Sequence, residues 1–163
     1  MAKRLRRNKV GMKHFGPYVD ITDPGYDKDT WCRMNDIKIV EGDYTCIIWK
    51  LTEKFERDDG EEITDTRVAR IGIYLDGIIP FQEDLEQIGE IGVDAGMAGF
   101  FMNKPDYTED QWQKLCDSTY DGKLAWIKPE GFFSDSGYGD GGYPVVAGKN
   151  DAGEITSLEI IFI

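Results

Sequence analysis

The alternation of apolar and polar residues predicts a chain built mostly of β-strands. Residues 67–75 place Ala69, Ile71 and Ile73 on one face, which is typical of a half-buried strand. Residues 44–52 are apolar on both faces, which is typical of a strand in the interior of a sheet or sandwich. An Arg-Asp-Asp-Gly sequence at 57–60 predicts the turn that joins these two strands. Further strands are predicted at 18–22, 37–40, 88–93, 124–127, 131–133, 143–147 and 155–163.

One helix is predicted, at residues 108–119. Thr108 is a favourable N-cap residue, and Gln111 completes a capping box with it. Tyr107 and Trp112 occupy the two positions of a hydrophobic staple, and Leu115 continues the apolar face. The pattern as a whole indicates a β-rich α+β domain. We expect an antiparallel sandwich or a strongly bent sheet, with this helix packed on one side.

The charge is distributed unevenly along the chain. Residues 1–14 contain six Lys or Arg and no acidic residue, and we expect them to form a disordered basic tail before a single β-rich domain at 15–163. This tail has two interpretations. It is either an arm for nucleic acid or an acidic partner, or a translation-start extension in which Met12 is the native start. The residues of the arm that would contact nucleic acid are Lys3, Arg4, Arg6, Arg7 and Lys9.

The domain itself is acidic. Residues 15–163 contain 13 Lys or Arg and 31 Asp or Glu, which gives a formal charge of −18. Such a body repels nucleic acid and attracts basic protein surfaces. The apolar runs are too short to span a bilayer, and no signal peptide is visible, so the expected location is the cytoplasm. Three scattered cysteines predict neither a disulfide framework nor a zinc site.

Common catalytic arrangements are missing from the sequence. The only histidine is His14, within the basic segment, so a Ser-His-Asp or Cys-His system has no base in the body. No phosphate-binding loop or dinucleotide fingerprint is present. The sequence therefore favours a non-enzymatic role without deciding the question.

Two glycine-rich segments, 92–101 and 136–145, each carry one central aspartate, Asp94 and Asp140. If these carboxylates converge with Asp23, they have the chemistry to hold Ca²⁺ or Mg²⁺ or to act as an acid and base pair. In the alternative interpretation they are structural, since aspartates in Asp-Gly turns often accept hydrogen bonds from the nearby backbone. We expect this backbone bonding for Asp140. No other cofactor is indicated.

Three aromatic residues lie close in sequence to glycine or aspartate turns, namely Trp31, Tyr138 and Tyr143. They are candidates for a wall on which a ligand stacks. Burial in the core is the alternative, because it is the more common role of large aromatic side chains.

A set of short motifs resembles a known family. The motifs are Asp23-Pro24, the Glu-Gly-Asp-Tyr sequence at 41–44, the Arg-Val-Ala sequence at 67–69, and the two glycine segments with the closing strand. In this order, over residues 19–162, they resemble the bacterial domain of unknown function 4241. The resemblance implies a fold and a bacterial or bacteriophage origin, and it implies no reaction. The basic tail and the segment 29–33 depart from the family pattern.

Three functions follow as hypotheses. The first is an acidic interaction protein, such as an inhibitor, immunity or counter-defence protein that mimics the charge of nucleic acid on a basic protein surface. The second is a divalent-cation or small-ligand site built on Asp94 and Asp140, with a binding or hydrolytic role. The third is a structural or accessory component of a virion.

Overall fold

The computed structural model describes residues 4–163, and its two antiparallel sheets pack face to face as a sandwich. A single α-helix, α1 (Glu109–Ser118), and one short 3-10 helix, Gln82–Asp84, accompany the sheets in the described residues. The strands are β1 (Leu5–Phe15), β2 (Tyr18–Thr22), β3 (Met34–Lys38), β4 (Gly42–Glu56), β5 (Glu62–Leu75), β6 (Glu86–Val93), β7 (Met97–Phe101), β8 (Ala125–Lys128), β9 (Gly131–Asp135), β10 (Gly141–Lys149) and β11 (Ile155–Ile161).

The two sheets have six and five strands. The larger has the order β1-β4-β5-β11-β10-β6, so β1 and β6 are its edges. The smaller has the order β3-β2-β7-β9-β8. The long β4–β5 hairpin forms the middle of the larger sheet and is paired from Tyr44 with Leu75 to Glu56 with Glu62. This arrangement confirms the predicted β-rich fold, and of the two predicted alternatives it is the antiparallel sandwich.

The main core lies between the sheets. Alternate residues of each strand point into it, such as Ile71 and Ile73 of β5, Phe100 of β7 and Leu158 of β11, all with no exposed surface. Tyr44 is equally buried, and its hydroxyl donates to the Val40 carbonyl oxygen at 2.5 Å. Burying each such side chain stabilises the fold by about 1.5–3 kcal/mol.

The helix covers the other face of the smaller sheet, as predicted. Thr108 caps α1 and forms the capping box with Gln111, which confirms this part of the sequence interpretation. Leu115 packs against Phe101 of β7 and Phe133 of β9 in a second, smaller core. These two phenylalanines face the helix because side chains alternate between the two faces of each strand. No helix in residues 4–163 is long and apolar enough to cross a membrane.

The segment expected to be a disordered tail is a strand from residue 5 onward. β1 pairs with β4 along its length, from Leu5 opposite Leu51 to Phe15 opposite Gly42. Val10 packs against the main core, and Phe15 is completely buried. The expectation of a disordered basic tail is therefore wrong for residues 5–14, because the hydrogen bonds of β4 and two apolar contacts order this segment. Lys3 lies outside the described residues.

The first glycine segment contains a strand that the pattern did not predict. β7 is buried at all five positions, and it pairs with β2 and β9. Glycine is required at position 99 because the backbone of β9 passes close to it: a Cβ on Gly99 would lie 2.1 Å from the carbonyl oxygen of Phe132. Glycine in this segment therefore serves packing between strands as well as turns.

Candidate interaction surface

The buried carboxylate of Asp23 links two turns through hydrogen bonds. One carboxylate oxygen, Oδ1, accepts from the Gly25 amide at 2.7 Å, and Oδ2 accepts from the amides of Asp94 at 2.8 Å and Ala95 at 2.7 Å. Burial raises the pKa of Asp23 above its ordinary value, while these three amides oppose the rise. Because both oxygens are engaged within the protein, Asp23 has a structural role and is not available to a ligand.

Asp94 and Asp140 are neighbours at one end of the larger sheet. Gly141, the first residue of β10, pairs with Val93, the last residue of β6, and the two aspartates are the adjacent residues just outside these strand ends. Both side chains are exposed. The glycine segments therefore converge, but in residues 4–163 no group of three His, Cys, Asp or Glu side chains is arranged to hold a metal ion.

The turn at 136–140 is held by residues other than Asp140. Gly137 and Gly139 have φ values of 62° and 117°, which a side chain would strain. The Ser136 hydroxyl donates to the Gly139 carbonyl oxygen at 2.8 Å, and the Tyr143 hydroxyl donates to the same oxygen at 2.6 Å. The carboxylate of Asp140 accepts no hydrogen bond from residues 4–163, so the expected backbone bonding of Asp140 is wrong. Two hydroxyl groups that donate to the Gly139 carbonyl oxygen hold this turn in place of a carboxylate that accepts from the backbone.

The three candidate aromatic residues do not form one wall. Tyr143 is half-buried and packs edge-on against Phe162, with ring centroids 5.1 Å apart. The Tyr138 ring lies under the guanidinium of Arg67, with 4.9 Å between the ring centroid and Arg67 Cζ. The Tyr138 hydroxyl donates a hydrogen bond to Glu53. Of the three, Trp31 alone lines a groove together with Gly92, Gly141 and Gly142. Only one of the three aromatic residues is therefore in a position to stack on a ligand at the glycine segments.

Trp31 forms one side of a groove of about 500 Å³ on the β6 edge of the larger sheet. Its side chain is 92% exposed, the highest exposure of any large hydrophobic residue described. We call this site the Trp31 groove, and its lining residues are Trp31, Cys32, Glu90, Ile91, Gly92, Gly141 and Gly142. Gly141 and Gly142 are exposed, so a partner that contacts the indole can also reach the backbone at these two positions.

The loop that presents Trp31 is fixed by Arg33. The guanidinium is fully buried and donates to Asp20 Oδ2 at 3.0 Å, to the Tyr26 carbonyl oxygen at 2.8 Å and to Asn35 Oδ1 at 2.6 Å. On the other side, the amide of Gly92 donates to the Cys32 carbonyl oxygen at 2.9 Å. The exposed indole therefore projects from a rigid support, because the residues that follow it are held by buried polar contacts.

A second buried cation supports the same loop. Lys104 Nζ donates to the Tyr26 carbonyl oxygen at 3.2 Å and to the Pro105 carbonyl oxygen at 2.9 Å, and it lies 4.3 Å from the centroid of the Tyr107 ring. Burial lowers the pKa of Lys104. Burial is the main cause that raises the pKa of Tyr26 to about 12, and a hydrogen bond with Cys32 adds to it. Sequence reasoning missed Arg33 and Lys104, since isolated basic residues in a polar loop give no signal of burial.

The surroundings of the groove are negatively charged. Glu90 lines the groove, and a Cβ on Gly142 would lie 2.6 Å from Glu90 Oε1. Asp94 and Asp140 flank it at the end of the β6–β10 pairing. In the described part of the chain none of these three carboxylates forms an ion pair, so their charges face solvent and any partner.

Comparison with known proteins identifies no relative: no family model, no curated protein and no solved structure matches the chain. The resemblance to the domain of unknown function 4241 stays a prediction.

Proposed function

We propose that this protein binds a basic protein surface through the Trp31 groove. The observation that carries the proposal is an indole 92% exposed on a rigid loop, beside three carboxylates without ion-pair partners in the described residues. Tryptophan is among the residues that contribute most to binding at protein interfaces, and leaving it in water has no benefit for folding. The partner would supply Lys or Arg side chains.

The chemistry of the groove suits such side chains in two ways. A guanidinium or ammonium group can lie over the face of the Trp31 ring as a cation–π contact, worth about 0.5–2 kcal/mol. The same cation is attracted by Glu90, Asp94 and Asp140, whose charges are not offset locally. Because Arg33 and the Gly92 amide already order the loop, little conformational entropy is lost when a partner binds.

The overall charge favours the same class of partner. A chain with a formal charge of −12 attracts basic proteins and repels nucleic acid over distances of about one Debye length, roughly 10 Å at 0.1 M salt. Proteins that bind nucleic acid present such basic surfaces. Mimicry of nucleic acid by surface carboxylates is therefore the more specific form of the proposal, and it makes the protein an inhibitor of its partner.

The proposal is tested by measuring affinity for a panel of purified basic nucleic-acid-binding proteins over a salt series from about 0.05 to 0.3 M. For at least one panel member we expect binding that weakens steeply with salt and is competed by DNA. Trp31→Ala should weaken this binding by about tenfold or more, as expected for an interface tryptophan.

Tyr120→Ala is the matched control, because Tyr120 is also an exposed aromatic residue, at 86%, and lies outside the groove. Its removal should leave affinity unchanged. Binding that resists salt, or that Trp31→Ala and Tyr120→Ala affect equally, would refute the proposal. Absence of any binder in a broad panel would also count against it.

A further inference from the structure

A second cleft lies at the opposite edge of the larger sheet from the Trp31 groove, and it is basic. Its volume is about 400 Å³, and we call it the lysine cleft. It is lined by Asn8, Lys9, Val10, Ile48, Lys50, Gly122, Lys123, Leu124 and Ala125. Three elements that are distant in sequence therefore each bring a lysine to one cleft, namely β1, β4 and the loop before β8.

The cations of this cleft have no ion-pair partner in residues 4–163. The ion pairs of the described chain involve other basic residues, and none includes Arg6, Lys9, Lys50 or Lys123. Arg6 stands directly opposite Lys50 in the β1–β4 pairing. Like charges in directly opposed positions of two strands destabilise a sheet, so this pair has a cost for the fold.

Protection of an edge of the larger sheet does not explain the arrangement. Lysines on an edge strand discourage edge-to-edge association, and this accounts for charges on β1 alone. Lys50 lies on β4, which is flanked by β1 and β5, and Lys123 belongs to a loop next to the smaller sheet. Neither residue protects an exposed edge of the larger sheet.

Asp121, the acidic residue nearest to Lys123 in sequence, binds the backbone of the loop that carries Lys123. Its carboxylate accepts from the indole nitrogen of Trp126 at 3.0 Å and from the backbone amide of Lys123 at 3.0 Å. It therefore fixes the backbone of the loop that carries Lys123. The hydrogen bonds from the Lys123 amide and from Trp126 lower the pKa of Asp121, and the charge of Lys123 adds to this effect, but the ammonium group is not within ion-pair distance of the carboxylate.

We propose that the lysine cleft binds phosphate groups of a nucleotide or nucleic acid strand. Lys50 and Lys123 supply positive charge from two sides, and the Asn8 amide is a hydrogen-bond donor at the same cleft. A cleft of this size accommodates a diphosphate. Among the described residues that line it there is no aromatic side chain on which a base could stack, so recognition is of phosphate and is independent of base sequence. The site is independent of the Trp31 groove.

The test uses the full chain with two probes, inorganic pyrophosphate and a short oligothymidylate, each titrated by calorimetry at low salt. We expect at least one probe to bind. Lys50→Gln and Lys123→Gln should each weaken that binding about fivefold or more. For the oligonucleotide, each substitution should also reduce the slope of log affinity against log salt by about 0.7.

Lys149→Gln is the control, since it removes the same charge from β10, away from the cleft, and should leave binding unchanged. Tighter binding of pyrophosphate identifies a small phosphate ligand, and tighter binding of the oligonucleotide identifies a nucleic acid strand. The proposal is overturned if neither probe binds, or if both Lys50→Gln and Lys123→Gln bind like Lys149→Gln. Lys123 is exposed in a loop, so its variant remains informative even if Lys50→Gln does not fold.

Discussion

Asp23 holds Asp94 by the backbone: Oδ2 of the buried carboxylate accepts from the Asp94 amide at 2.8 Å and from the Ala95 amide at 2.7 Å. In Asp23→Asn, an amide group replaces one of the two acceptor oxygens and leaves at least one buried backbone donor unpaired. We expect the free energy of unfolding to fall by about 2–4 kcal/mol, measured by urea denaturation. Asp94→Asn is the control and should change it by less than about 0.5 kcal/mol, since that side chain is exposed. An equally small loss for Asp23→Asn would contradict the assigned role.

Asp94 and Asp140 repel each other at the end of the β6–β10 pairing. Because both are exposed and in adjacent positions beyond Val93 and Gly141, Asp140→Asn is expected to raise the free energy of unfolding by a few tenths of a kcal/mol. The measurement is thermal and urea denaturation with and without millimolar Ca²⁺ or Mg²⁺. A cation-induced rise in Tm that Asp140→Asn abolishes would instead show that the pair is a cation site.

The sequence predicted those parts of the fold that depend on local alternation. Local alternation predicts β2 at 18–22, and the capping residues predict the helix at 108–119, in agreement with the structure. β1 was missed because its charges dominate the pattern, and only its pairing with β4 orders it. β7 was missed because glycines at a close strand contact resemble glycines in a turn.

The candidate sites were predicted less completely than the fold. The sequence predicts a stacking wall of three aromatic residues, but only Trp31 lines the groove, whereas Tyr138 contacts Arg67 and Tyr143 packs on Phe162. The lysine cleft was not foreseeable, since Lys50 and Lys123 meet only through the packing of two sheets. Contacts between residues that are distant in sequence carry no local signal.

Deletion of residues 1–11 tests the contribution of β1. The shortened chain, which would begin at Met12, loses most of the strand that pairs with β4 and the contact of Val10 with the core. We expect the free energy of unfolding to fall by at least about 2 kcal/mol, and the uncovered edge of β4 should promote self-association. Urea denaturation and size-exclusion chromatography measure the two effects. Deletion of residues 1–4 alone is the control. A shortened chain as stable as the full one, and monomeric, would show that β1 is dispensable.

Arg70 and Glu159 form a buried ion pair on the face of the larger sheet opposite the main core. Arg70 Nη1 donates to Glu159 Oε1 at 2.9 Å, and the Tyr74 hydroxyl donates to Oε2 at 2.8 Å. Glu159→Leu leaves the guanidinium largely buried without its partner and should cost about 3 kcal/mol of unfolding free energy. The double variant Arg70→Met with Glu159→Leu should lose less than the single one. Equal losses in urea denaturation would mean that the pair is not coupled.

His14 links β1 to Glu41, just before β4, and to Asp43 at the start of β4, and it makes stability depend on pH. Nε2 of the His14 ring lies 3.0 Å from Glu41 Oε2, and Nδ1 lies 3.1 Å from Asp43 Oδ1. The hydrogen bond with Glu41 has the larger effect, and together the two raise the pKa of His14 above its ordinary 6.5. A raised pKa in the folded state means that protonation stabilises the fold: the contribution is fully present below pH 6.5 and is lost as the pH rises through the folded pKa. The stability difference between wild type and His14→Gln should therefore shrink with rising pH.

Because His14 is the only histidine, one NMR titration reports its pKa directly. Glu41→Gln should lower that pKa, whereas Glu86→Gln, which removes an acid paired with Lys149, should not. A titration midpoint at or below 6.5 in the wild type would show that these contacts do not hold the imidazolium.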